Sequence, residues 1–97
     1  MPALPAPANP YPPRIPVHVL LVDDDPKFRS FMQKGLQESG MRIEAAESGE
    51  QASRLLEERG SGAVDLLLLD VMLPKSSGWD VLERLRKRGD PTPVIFL

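Results

Sequence analysis

Cysteine is absent from the 97 residues. The chain therefore has no disulfide framework and no thiolate nucleophile, which fits a reducing compartment. It also lacks a basic surplus: twelve Lys and Arg stand against fourteen Asp and Glu, a formal charge of −2. Phosphate backbones are bound by clearly basic faces, so no nucleic-acid contact is expected of these residues. No apolar run approaches the length of about 20 residues that a membrane span needs. The start, MPALPAPANPYPPRIP, has neither the basic n-region nor the apolar h-region of a secretion signal. A cytoplasmic location without membrane contact is the expectation.

With 41% hydrophobic and 27% charged residues, what is present suits one ordinary domain with a modest core. Seven of the eleven prolines fall in residues 1–16. Such a stretch loses backbone donors, favours extended polyproline II and has little side chain to bury, so 1–16 reads as a flexible Pro-rich leader rather than a PxxP docking segment. The folded domain is expected over 17–97.

From Val17 onward, apolar runs of strand length alternate with helical patterns. Val19 to Val22 is a short apolar run. Phe28, Phe31, Met32 and Leu36 then repeat at helical spacing, with Asp25 as N-cap, Pro26 at the first helical position and Gly40 past the end. Ile43 to Ala46 is a second strand, followed by a capping box of Ser48 and Gln51 for a helix turning Ala52, Leu55 and Leu56 inward. Val64 to Leu69 is almost wholly apolar, as a strand covered on both faces must be, and it ends on Asp70. Gly78 and the set Trp79, Leu82 and Leu85 predict a third helix, with Trp79 in the core. Gly89 and a Pro-Thr-Pro turn lead to a fourth apolar run, Val94 to Leu97. Strictly alternating β and α units imply a parallel α/β sheet with right-handed crossovers.

In such a sheet, ligands gather at the carboxyl ends of the strands, near the point where strand order reverses. Asp23, Asp24 and Asp70 all stand at strand ends. If the first and third strands are neighbours, the acids converge, and clustered carboxylates raise each other's pKa unless a hard divalent cation joins them. Oxygen donors with no His or Cys nearby favour Mg²⁺, Mn²⁺ or Ca²⁺ over zinc. Successive strand residues point to opposite faces, so Asp23 and Asp24 cannot play the same part.

The run VDDDP at 22–26, followed by LLLLDVMLPKSSG at 66–78, resembles the receiver domain of two-component response regulators. The joint pattern is an acidic pair ending the first strand, Asp70 ending the third, Pro74 four residues later and Gly78 eight later. The resemblance implies a flavodoxin-like doubly wound parallel sheet, of order 2-1-3-4-5 in the full family fold. The four strands and three helices legible here correspond to order 2-1-3-4. It implies Asp70 as phosphoacceptor and Mg²⁺ as cofactor, with Mn²⁺ as an alternative. Asp24 and Asp70 would bind the ion directly, the backbone carbonyl of Met72 would be a third ligand, and Asp23 would hold the ion through water. Pro74 and Gly78 would shape the loop. The partner would be a sensor histidine kinase or a phosphotransfer protein, and the chain would catalyse only its own phosphorylation and dephosphorylation.

The family also uses a Ser or Thr after the fourth strand and a Lys after the fifth, and neither is found in these residues. An incomplete receiver, with its last helix, strand and helix absent, is therefore expected. The alternative function is a phosphorylation-independent interaction module that dimerises through an exposed fourth strand. A phosphohydrolase of the haloacid dehalogenase type is disfavoured, because the acid it needs two residues after the nucleophile is here Met72. His18 reads as a surface or strand-edge residue. Lys75 reads as a solvated loop cation, and the cations of the LRKRG segment at 85–89 as a complement to a helix dipole.

Overall fold

The computed structural model describes residues 16–97. The expected leader lies outside the described residues except for Pro16. Four strands, β1 (His18–Val22), β2 (Arg42–Ala46), β3 (Leu66–Leu69) and β4 (Val94–Phe96), alternate with α1 (Pro26–Glu38), α2 (Gly49–Arg59) and α3 (Gly78–Lys87). The sheet is fully parallel with order β2-β1-β3-β4, as the flavodoxin-like expectation required.

The period-two alternation of strand side chains divides the core between the two sheet faces. Leu20, Val22, Leu67 and Leu69 pack with Ala52 and Leu56 of α2 and Val81 and Leu85 of α3. Val19, Leu21 and Leu68 face the other way, against Phe28, Met32 and Leu36 of α1. Covering both faces explains why β1 and β3 are continuous apolar runs. Local chemistry fixes the helix starts. Asp25 accepts from the N–H groups of Lys27 and Phe28, with Pro26 in the first turn. Ser77 and Asp80 form a reciprocal capping box at α3. At α2 the box is displaced by one residue: Ser48 caps Gln51 N–H, but Gln51 Oε1 accepts from Glu47.

Three expected core or surface assignments are corrected. Phe31 is 74% exposed, because the stripe of α1 that meets the sheet runs through Phe28, Met32 and Leu36 and leaves position 31 outside it. Trp79 is 58% exposed; Val81 takes the inward position, and the indole lies against Phe96 with ring centroids 4.3 Å apart. His18 is buried, since β1 is an interior strand and even its first residue is flanked on both sides. Its Nε2 lies 2.8 Å from Glu44 Oε1. The arginines ending α3 do more than complement a dipole: Arg86 donates to the carbonyls of Asp90 and Thr92 and ties the helix to the turn before β4.

Candidate functional site

Register brings the acids together. Val22 stands beside Leu69 in the parallel pairing of β1 and β3, so the residues that follow, Asp23 and Asp70, leave the sheet side by side. Asp70 N–H donates to the Val22 carbonyl at 2.9 Å, and Asp23 N–H donates to Ala46 at 3.1 Å. Asp24, one residue on, is exposed, whereas Asp23 is buried and Asp70 half-buried. One oxygen from each of the three carboxylates can be chosen so that all lie within 4.8 Å of one another.

The hydrogen bonds around this cluster set the acids apart from each other. Asp25 is spent on capping α1, and its own N–H donates to Asp23 Oδ1 at 2.9 Å. Asp70 Oδ1 accepts from the N–H of Met72 at 2.9 Å. Its Oδ2 has no hydrogen bond among the described residues. Burial pushes the Asp23 carboxyl above its ordinary value, and the carboxylates of Asp70, Asp24 and Asp25 push it the same way. The hydrogen bond from Asp25 offsets part of this.

An all-oxygen site with like charges pressed together fits a hard divalent cation.

The loop after Asp70 is held by packing. Met72 is 82% exposed, Leu73 is buried, and Pro74 and Lys75 line a cavity of about 520 Å³ with Asp24, Ser48 and Arg54. Gly78 starts α3 directly against the acid site. A Cβ there would stand 2.7 Å from the Asp70 carbonyl oxygen and 3.1 Å from Val71 Cα, so only glycine lets the helix approach this closely.

Two features of the site were not legible in the sequence. Arg29, from the second turn of α1, donates through Nη1 to the Asp23 carbonyl at 2.8 Å. Gly49, at the start of α2, packs so tightly that a Cβ would meet Ser76 Oγ at 2.6 Å, which joins the loops after β2 and β3. The spacing of Arg29, six residues after Asp23, was the one available signal, and by itself it is not specific.

The chain is similar to known proteins. The family model for the response regulator receiver domain matches residues 19–97. The transcriptional activator protein IrlR of Burkholderia pseudomallei is 43% identical over 81 residues, 84% of this chain and 34% of IrlR. The transcriptional regulatory protein CpxR of Escherichia coli is 46% identical over 79 residues, 81% of this chain and 32% of CpxR. The chain thus spans about a third of the length of these transcriptional regulators. Among solved structures, response regulator TrrA from Thermotoga maritima in complex with Mg²⁺-BeF superposes with a TM-score of 0.74 and 35% identity. That match covers 82% of this chain and 67% of TrrA. With the family model matching most of the chain and the sheet order and acidic strand ends in agreement, the chain belongs to the response regulator receiver domain family.

Proposed function

We propose that the chain is a phosphoacceptor module of a two-component system. Asp70 receives a phosphoryl group from a sensor histidine kinase or a phosphotransfer protein, with Mg²⁺ or Mn²⁺ as cofactor. The observation that carries this reading is the meeting of Asp23, Asp24 and Asp70 at the ends of β1 and β3. Asp24, Asp70 and the Met72 carbonyl are the proposed direct ligands, and Asp23 acts through water. Bound there, the cation supplies charge neutralisation for the transferred oxygens.

The chain's own groups do the rest. The Met72 N–H holds Asp70 Oδ1 and leaves Oδ2 to attack phosphorus in line. A new O–P bond forms as the P–N bond to the donor imidazole breaks, and the bonding pair stays with the imidazole nitrogen. The product is an acyl phosphate on Asp70, which water can cleave to restore the carboxylate. Leu73, Pro74 and Gly78 keep the loop close enough to frame that reaction. The proposed domain is 17–97, in the cytoplasm, without nucleic-acid contact by these residues; no described helix is long and apolar enough to cross a membrane.

Intact mass before and after incubation with acetyl phosphate and Mg²⁺ tests the reading, with Asp70→Asn as control. A phosphoryl gain in the wild type that is lost in the control is the expected result. No gain on a folded chain overturns it. That outcome would favour the second reading, a phosphorylation-independent contact module, for which the half-exposed Ile95 and Leu97 are the supporting observation.

A further inference from the structure

We propose that Arg29 is a positioning residue of the acidic site, fixing the peptide unit between Asp23 and Asp24 and thereby setting the affinity of the site for its cation. The inference rests on the metal-binding part of the proposed function.

The Asp23 carbonyl is where the ladder of β1 gives out. The amide of Asp23 is still paired to β2 through Ala46. One residue past the end of β2, the Glu47 N–H is taken by Gln51 Oε1 at 2.8 Å. The Asp23 carbonyl receives its donor from α1 instead, Arg29 Nη1 at 2.8 Å. Arg29 is half-buried, one turn beyond the Asp25 cap, and its own N–H donates to the Asp25 carbonyl in the first helical bond. The guanidinium therefore reaches back over the turn that its helix begins.

That carbonyl belongs to the peptide joining the two acids. A peptide is planar, so holding its oxygen fixes the plane that carries the Cα atoms of both Asp23 and Asp24. The other bonds in the turn are short-range: Asp25 N–H donates to Asp23 Oδ1, and the Lys27 and Phe28 N–H groups donate to Asp25 Oδ1. Arg29 is the contact that ties the paired acids to the body of the helix. A planar fork of donors suits this better than a single ammonium.

Charge and position predict opposite signs. A guanidinium beside a cation site repels the cation, so removing its charge alone would tighten binding. Removing the clamp frees the Asp23–Asp24 peptide and loosens binding. Mg²⁺ alone is titrated into the full chain by calorimetry, for wild type, Arg29→Gln and Arg29→Lys, with Asp24→Asn as control. The expected result is affinity weakened about tenfold in Arg29→Gln, the scale of losing an outer support of a metal ligand, and partly recovered in Arg29→Lys. Unchanged or tighter binding in Arg29→Gln overturns the inference. Arg29→Met, which keeps the aliphatic stem, is judged by the same criterion and decides if the glutamine variant does not fold. Wild type that binds no Mg²⁺, with Asp24→Asn indistinguishable from it, overturns the metal reading and this inference together. Binding by wild type, lost in Asp24→Asn but kept in Arg29→Gln, overturns this inference alone.

Discussion

The two ends of the sheet treat carboxylates in opposite ways. At the amino end, charges are paired. His18 N–H donates to Asp65 Oδ2 at 2.9 Å, Asp65 N–H returns to the His18 carbonyl at 2.8 Å, and Glu44 contacts both His18 Nε2 and Arg59. The hydrogen bond from Arg59 holds the Glu44 carboxyl below its ordinary range, with the charges of Arg59 and His18 acting the same way. At the carboxyl end, Asp23 is pushed upward by burial and by three neighbouring acids. One end pairs its charges, and the other gathers like charges whose repulsion a bound cation would relieve.

The largest break in this comparison comes from shape. Gly78→Ala places a methyl against two backbone atoms that cannot rotate away, and denaturant unfolding should show a loss of about 1–3 kcal/mol. An unchanged midpoint would mean that the contact between α3 and Asp70 is looser than described. Asp23→Asn sharpens the electrostatic side. Relieving like charges near 4 Å is worth roughly 1 kcal/mol, so the metal-free variant should unfold later than the wild type while gaining less from added Mg²⁺. The sign follows from linkage. An acid whose folded value is raised keeps its proton longer in the folded state, so metal-free wild type loses stability as pH rises above the ordinary 3.8 and through the raised value. The asparagine variant should lack that decline.

Glu44→Gln is the smallest effect, about 0.5 kcal/mol of destabilisation at neutral pH, because the pair is only partly buried. Its sign is reversed. A depressed acid contributes its stability above the ordinary value of 4.5 and loses it as pH falls through the folded one. Wild type and variant should therefore converge in acid, which urea midpoints at several pH values would measure. The substitution should leave Mg²⁺ affinity unchanged, since it lies at the other end of the sheet.

Much of this was legible in the sequence because the sheet is covered on both faces. Burial on both sides demands unbroken apolar runs, and an acid ending such a run is conspicuous, so Asp23, Asp24 and Asp70 could be placed at one edge before any coordinates. Phe31 and Trp79 were misplaced for one physical reason. Helical spacing says which residues share a face, but the contact stripe is narrower than that face, and its edge depends on how the helix lies across the sheet. His18 was misjudged because a polar residue opening a strand reads as an end, whereas strand order makes it interior. Arg29 lay beyond reach for a different reason: it donates to a carbonyl just past the last paired residue of β1, and no pattern of side-chain types records which carbonyl a strand ladder leaves to a side chain.

The bare Cα of Gly78 has a mechanical consequence. Side chains are compliant, and a rotamer change can absorb a small displacement before it passes to the next element. Between Asp70 and α3 there is no such cushion, because the first helical residue rests on the Asp70 backbone itself. A displacement of the Asp70 backbone would therefore press directly on the first turn of α3, a rod of ten residues, about 15 Å long. Trp79, the next residue along, rides on that joint with its indole against Phe96, so the chain carries its own optical gauge of the linkage.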